Sequence, residues 1–403
     1  MACPGRPDQM EFEKLQGDPQ FRSWLEQFIE DRVRDELKRD MDRRARDAFS
    51  IVSVRQDDAL ANSMARILGK PLVPVEILTF GDGEKKAVVK ENLRGKHVYV
   101  IATVGYGEDP DVSLANALKI LSTLKRTCKV RQINFVVPCL WYQAQDKTHA
   151  RREPITVRDV ADDLIRRGMN HIIVTSLHAE QIEIAFDSFD HLKMEPLFSD
   201  YLNHRFIEQG EKFILISPDD GGVRMREELF KNMSPDWVAG QAAVHQLRVR
   251  GSVDEKQVLD FVGEVEGHVG VILDDMMRSG STMFQAAKAA KEKGAKKVIG
   301  LVTHFYGFDS ESHGRFDERL AESPLDELIC TNSRGGLEQR LAESEILRRR
   351  LTVIDVAPYL SKALINFQTG GTVKDMIAGV GELRDLYRVV HLAESAQEDG
   401  GAP

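Results

Sequence analysis

The sequence predicts an α/β protein: parallel sheets flanked by helices, arranged in two halves, with one amphipathic helix ahead of them. Short β-branched runs alternate with helical segments from Ile51 onward, the pattern of parallel strands joined by crossover helices. A length of 403 residues and a mass of 45.4 kDa exceed what one core usually serves, so the chain divides into more than one domain. Hydrophobic residues at 42% against 30% charged, with a mean hydropathy of −0.32, supply ordinary cores and exclude disorder of the whole chain.

In chain order, residues 1–18 are polar, contain Gly and Pro, and show no apolar period, so a tail is expected. Phe21, Trp24, Leu25, Phe28, Ile29, Val33, Leu37 and Met41 recur at three- and four-residue steps. They predict an amphipathic helix within Phe21–Ala48, either a strap on the next domain or a contact helix for a partner. Strands are predicted at Ile51–Val54, Val98–Ala102, Ile133–Val137, Ile172–Thr175, Phe213–Ser217, Val269–Leu273, Val298–Val302 and Thr352–Val356. Helices are predicted at Asp57–Leu68, Ser113–Lys125, Val157–Arg167, Thr282–Lys293 and Pro358–Asn366. The polar stretch Glu195–Asn203 marks a seam, which gives domains at 49–197 and 198–393 and a frayed tail at 394–403.

The net charge, 55 − 64 = −9, argues against nonspecific nucleic-acid binding, which needs clustered Lys and Arg. No apolar run approaches the roughly 18–20 residues that cross a bilayer, so no membrane partner is expected. The N-terminus lacks the basic cluster and apolar stretch of a secretory signal. Cys3, Cys128, Cys139 and Cys330 are far apart and form no CxxC pair, so neither a disulfide framework nor a zinc site is indicated and a cytoplasmic location is expected.

The sharpest chemical signal is Val271-Ile272-Leu273-Asp274-Asp275-Met276-Met277-Arg278-Ser279-Gly280-Ser281-Thr282. It reads as a buried strand, a loop of small residues and a helix start. Ser279, Gly280, Ser281 and Thr282 let backbone N–H groups approach an oxyanion, and the helix N-terminus adds orphan donors and a positive dipole end. Two adjacent acids would repel that anion. Asp274 and Asp275 are therefore expected to accept hydrogen bonds from sugar hydroxyls or to hold a hydrated Mg²⁺, which makes ribose plus phosphate the economical ligand. A plain capped βα turn with a solvated acidic pair is the competing explanation, but it gives no reason for the paired acids. Asp219 and His178 likewise follow apolar strands, at the edge where open sheets collect ligands, and Gly221-Gly222 leaves room for a diphosphate close to the main chain.

From Ile51 to about Leu386 the chain resembles the ribose-phosphate diphosphokinase (phosphoribosyl pyrophosphate synthetase) family, whose two domains have the type I phosphoribosyltransferase fold. Beside the loop at Asp274, the likeness rests on Phe80-Gly81-Asp82-Gly83-Glu84, Glu91-Asn92-Leu93-Arg94-Gly95, Gln145-Asp146-Lys147, Arg152-Glu153-Pro154-Ile155-Thr156, Leu177-His178-Ala179-Glu180-Gln181-Ile182, Ser217-Pro218-Asp219-Asp220-Gly221-Gly222 and Thr303-His304. The resemblance implies Mg²⁺-dependent transfer of diphosphate from ATP, as co-substrate, to the anomeric hydroxyl of ribose 5-phosphate, releasing AMP. By the same resemblance, Asp82, Gly83, Glu84, Gln145 and Asp146 bind ATP and His178 and Asp219 serve the metal. Asp274, Asp275, Arg278, Ser279–Thr282, Gly221 and Gly222 bind the sugar phosphate and diphosphate. Counted back from Asp274 without gaps, Arg248 and Arg250, on a hairpin ahead of the loop, stand where the family carries its catalytic Lys-x-Arg; the other register puts Leu247 in the Lys place. A homo-oligomer whose active site is completed by a neighbouring subunit is also implied.

The chain departs from the family pattern at Ala144, Ser176, Arg248 and Arg278, which stand for Arg, Asp, Lys and Asp. Arg differs from Lys in shape and hydration, so the exchange at 248 bears on activity. Arg278 adds a cation beside the phosphate loop and suits an acceptor with more negative charge. Two alternatives stay open in the sequence: an inert homologue that regulates a true synthetase, and a phosphoribosyltransferase that consumes the activated sugar.

Overall fold

The computed structural model describes residues 49–148, 150–248, 256–309, 314–373 and 386–391. The helix expected within Phe21–Ala48, the tails at 1–18 and 394–403, and Arg250 lie outside these residues. No helix among the described residues is long and apolar enough to cross a membrane.

The first half runs β1 (Phe49–Ser53), α1 (Ala59–Leu68), β2 (Leu72–Val73), β3 (Val75–Thr79), β4 (Lys85–Val89), β5 (His97–Ile101), α2 (Pro110–Ser122), β6 (Gln132–Val137), α3 (Thr156–Arg166), β7 (His171–Thr175), β8 (Phe189–Leu192) and α4 (Glu195–Gln209). The second runs β9 (Phe213–Ser217), α5 (Val223–Lys231), β10 (Val238–Arg248), β11 (Lys256–Val262), β12 (Val269–Met277), α6 (Ser281–Glu292), β13 (Lys297–Phe305), α7 (Phe316–Glu322), β14 (Glu327–Thr331), α8 (Leu337–Glu343), α9 (Glu345–Arg350), β15 (Leu351–Asp355), α10 (Ala357–Gln368) and β16 (Arg388–His391). All eight predicted strands and five predicted helices are present, with ends shifted by a few residues.

The first sheet has six parallel strands in the order β2-β1-β5-β6-β7-β8. The second has eight, in the order β11-β10-β9-β12-β13-β14-β15-β16, parallel except for antiparallel pairs at its two edges. A separate antiparallel hairpin, β3–β4, lies outside both. Strand interiors such as Phe213–Ser217 and Leu351–Asp355 are buried at every position, as expected for strands covered on both faces.

The seam expected at Glu195–Asn203 is helix α4, and the division at 197/198 falls inside it. Leu197, Phe198, Leu202 and Phe206 are fully buried, and Tyr201 nearly so. Helix α10 is buried from Ala357 through Ile365. One core cluster therefore runs from Ile51, Tyr99 and Ile173 of the first sheet, through α4 and α10, to Leu215, Val271 and Ile354 of the second. Each fully buried Leu, Ile or Phe contributes about 1.5–3 kcal/mol, so this shared core holds the halves to each other.

Candidate functional site

β12 runs through Val269–Leu273, all buried, and then carries the half-buried Asp274 and Asp275 ahead of its buried last residues, Met276 and Met277. Its parallel neighbour β9 ends at Ser217, two residues before Asp219. The chain leaves β9 toward β10 on one side and returns at β12 on the other. Such a reversal opens a crevice beyond the strand ends, where open α/β sheets take their ligands. The three acids thus come to one crevice from two neighbouring strands. A Cβ on Gly222 would lie 3.3 Å from Leu273 O and 2.9 Å from Pro218 Cδ, so the close approach of turn and strand requires glycine there. Asp219 Oδ1 accepts from Gly221 N (3.0 Å) and Gly222 N (3.3 Å), fixing that turn.

The loop of small residues leads into α6 with Gly280 at its N-cap. Gly280 is left-handed at φ 85°, and a Cβ on it would come within 2.7 Å of the Phe284 ring. Ser279 Oγ and Ser281 Oγ are 3.2 Å apart. Arg319 on α7 braces the loop from behind, donating from Nη1 to Ser279 O (2.6 Å) and from Nη2 to Phe308 O (3.2 Å). The N-terminal turn of α6, with the positive end of its helix dipole, suits an oxyanion. Arg278 is exposed, its guanidinium 5.5 Å from the centre of the Phe308 ring.

The first half closes the crevice from the other side. His178, past the end of β7, places Nδ1 2.8 Å from Asp275 Oδ2. The hydrogen bond to Asp275 outweighs burial and raises the pKa of His178 above its ordinary 6.5. Burial works to raise the pKa of Asp275, but His178 overrides it and holds the carboxyl below 3.8. The pair is a hydrogen-bonded histidine–carboxylate contact between the two halves. His178 N donates to Gln143 Oε1 (3.2 Å), and Asp146, which accepts from Gln181 Nε2 (2.9 Å), adds negative charge near the same ring. Further along the same face, Glu180 is paired with Lys193 (3.1 Å) and with Arg224 of α5.

The structure therefore brings together Asp219, Gly221, Gly222, Asp274, Asp275, Ser279–Thr282, His178 and Asp146. Gln145 points toward Thr156 at the start of α3, whose hydroxyl donates to Gln145 Oε1. Asp82, Gly83 and Glu84 form the tip of the β3–β4 hairpin, where Glu84 N donates to Asp82 Oδ1 (3.0 Å). Gly83 and Glu84 line a cavity of about 480 Å³ against Val112, Asn116 and Lys119 of α2, and none of the crevice residues lines it. Arg248 ends β10 opposite Lys256, on the antiparallel hairpin expected there.

Among the described residues no three His, Cys, Asp or Glu side chains converge as a metal-holding group. Mg²⁺ is held by one or two carboxylates and keeps several waters or takes substrate phosphates. The acids at the ends of β9 and β12 fit that mode. Sequence reasoning passed over Gln143 and Arg319, whose contacts join residues far apart in the chain. It gave no role to His304, although Thr303-His304 was among the matching stretches.

Residues 49–168 match the family profile described as the N-terminal domain of ribose phosphate pyrophosphokinase, and residues 230–372 that of the phosphoribosyl synthetase-associated domain. The chain is 32% identical over 327 residues to the ribose-phosphate pyrophosphokinase of Aquifex aeolicus, covering 81% of this chain and 98% of that one. It is 32% identical over 329 residues to ribose-phosphate pyrophosphokinase 1 of Listeria monocytogenes, covering 81% and 96%. The crystal structure of phosphoribosylpyrophosphate synthetase from Mycobacterium smegmatis superposes with a TM-score of 0.68 at 29% identity, over 80% of this chain and 99% of that one.

Proposed function

The chain belongs to the ribose-phosphate pyrophosphokinase family, and from that premise we propose that it transfers the β,γ-diphosphoryl group of ATP to ribose 5-phosphate, giving phosphoribosyl diphosphate and AMP. The anomeric oxygen of the sugar attacks the β-phosphorus, the bond from that phosphorus to the α,β-bridging oxygen breaks, and AMP leaves with the bridging oxygen. The anomeric hydroxyl proton passes to solvent. The observation that carries this reading is the crevice at the β9/β12 reversal, where paired acids and an anion-ready loop meet an imidazole from the other half.

In this reading the 5-phosphate sits on the N–H groups of Ser279–Thr282, and Asp274 and Asp275 receive the ribose hydroxyls. The Gly221-Gly222 turn lets the diphosphate approach the main chain. Asp219, with His178 beside it, would hold Mg²⁺, and the ion would supply positive charge to the polyphosphate. Arg248 and Arg250 are assigned the developing charge on the migrating oxygens, and in-line positioning supplies most of the rate. Gln145 and Asp146 are assigned to ATP, and Asp82, Gly83 and Glu84 to its nucleoside.

The purified protein with Mg²⁺, ATP and ribose 5-phosphate is expected to form AMP only when the sugar is present. Asp275→Asn is expected to lower kcat by about 100-fold, the scale of losing one preorganised electrostatic contact. AMP formation that does not depend on the sugar would overturn the acceptor. No AMP with any ribose phosphate favours the regulatory homologue, a reading to which Ala144 and Ser176, in place of a cation and an acid, also point.

A further inference from the structure

His304 lies one residue from the end of β13 in the second half, completely buried, yet its ring serves the first half. Nε2 is 3.1 Å from Thr175 O and 2.9 Å from Ser176 O, the carbonyls that end β7. Carbonyl oxygens only accept, so Nε2 carries a proton and donates. Nδ1 is 2.9 Å from Ser333 Oγ. Burial opposes charge on this ring, but the adjacent Cys139 and the Ser176 carbonyl outweigh it and raise the pKa above 6.5.

What the ring holds is strained. Ser176 has φ 38°, a left-handed conformation that costs a non-glycine residue about 1–3 kcal/mol and persists only where its surroundings enforce it. Besides Leu192 O of its own half, which accepts from Ser176 N (3.4 Å), its holders come from the other half: His304 on its carbonyl and Thr303 Oγ1, which donates to Ser176 Oγ (3.1 Å). The turn sends the chain to His178, two residues on, and so to Asp275. The circuit closes within the second sheet, because Met276, next to Asp275, is paired with His304 across β12 and β13. The register of those strands therefore fixes the distance between the group that grips the turn and the acid that receives His178.

We propose that His304 is a positioning residue: by holding the left-handed Ser176 turn it sets where His178 stands against Asp275 and so aligns the two halves for transfer. The proposal rests on the reading of the His178–Asp275 pair as part of the transferring cleft. His304→Leu removes the donors in a side chain of moderate size. It is expected to lower kcat for AMP formation by about 30- to 100-fold, the scale of a displacement of about 1 Å, with KM for ribose 5-phosphate within about twofold of wild type. His304→Gln, which keeps an N–H donor, is expected to recover about tenfold of that loss. In the ligand-free protein, nitrogen NMR of the His178 ring is expected to show its Asp275-bonded signal displaced in His304→Leu and restored toward wild type in His304→Gln.

A normal kcat and an unmoved His178 signal in His304→Leu, beside a low kcat in Asp275→Asn, overturn the proposal and leave the active cleft standing. If Asp275→Asn and His304→Leu both turn over normally, the reading of the cleft itself fails. Parallel loss of kcat, KM and thermal stability in both His304 variants, without recovery in Gln, reduces the residue to a structural one and overturns positioning. If His304→Leu does not fold, Thr303→Val removes the second grip on Ser176. It is expected to lower kcat about threefold at unchanged KM, and an unchanged kcat there overturns the proposal as well.

Discussion

Arg278 illustrates what one residue decides in this site. It stands between the paired acids and the oxyanion loop, with an exposed guanidinium against Phe308, and the loop beneath it is braced by Arg319 through Ser279 O. A cation at that mouth favours a sugar phosphate of high negative charge. An exposed ion pair contributes up to about 1 kcal/mol, and reversing the charge replaces an attraction by a repulsion. Arg278→Asp is therefore expected to raise KM for ribose 5-phosphate about 5- to 30-fold and to shift preference toward less charged ribose derivatives. Titrating the sugars against both proteins checks this, and equal KM and equal preference would remove Arg278 from acceptor binding. The strand-end acids and the loop glycines were legible in the sequence because each sits at a junction of two periodic patterns. His304 was not. An imidazole inside an apolar strand has no local signal, and its partners at Thr175 and Ser176 are distant in sequence.

At the scale of elements, sequence reasoning found the strands with dense β-branched runs and lost those that depend on partners. The hairpin strands β3 and β4 are mostly exposed or half-buried, with Glu76 in β3 and Lys85 and Lys86 in β4 among their apolar residues. β11 is an edge strand and β10 lies next to it, a pair whose register the hydrophobic pattern only weakly specifies. Helix α4 was hidden by its polar residues and by Pro196, although proline is tolerated in a first turn. Its apolar residues at 197, 198, 201, 202 and 206 do keep a helical period. What pins α4 to the second sheet is Arg205, whose Nη1 and Nη2 lie 2.7 and 2.6 Å from the Glu327 carboxylate at the start of β14, with Thr352 Oγ1 donating to it at 2.8 Å. Burial tends to raise the pKa of Glu327, and Arg205 overrides it and lowers the pKa below 4.5. A depressed carboxylate stabilises the fold fully above the unfolded value, and the stabilisation is lost as pH falls through the folded one. Glu327→Gln leaves a buried guanidinium unpaired and is expected to cost about 3–5 kcal/mol near neutral pH. Urea midpoints measured against pH are expected to show that gap constant above about pH 5 and shrinking in stronger acid, where wild-type Glu327 is also neutral. A gap that stays constant far into acid would mean the pair contributes packing and no charge.

At the scale of the whole molecule, the two sheets share a core through α4 and α10 and meet at their carboxyl ends. There the His178–Asp275 pair, the His304 grip on β7 and a bridge between Gly105 and Gly335 join the halves. The β3–β4 hairpin takes no part in that meeting. Its tip shares a cavity with α2, and the acids assigned to the nucleoside sit on it. If those acids hold ATP, the arrangement has them reach the crevice of a second copy, and a site divided between copies makes a quantitative demand. A subunit with Asp82→Ala and Glu84→Ala keeps an intact crevice, and a subunit with Asp275→Asn keeps an intact tip. Each variant alone is expected to be nearly inactive. In an equimolar assembly formed by dissociation and random reassociation, about half the crevices are intact and about half of those meet an intact tip. About a quarter of wild-type turnover should therefore return. Were tip and crevice paired within one subunit, every site in the mixture would carry a lesion and mixing would restore nothing, so the recovered fraction decides whose nucleotide the hairpin holds.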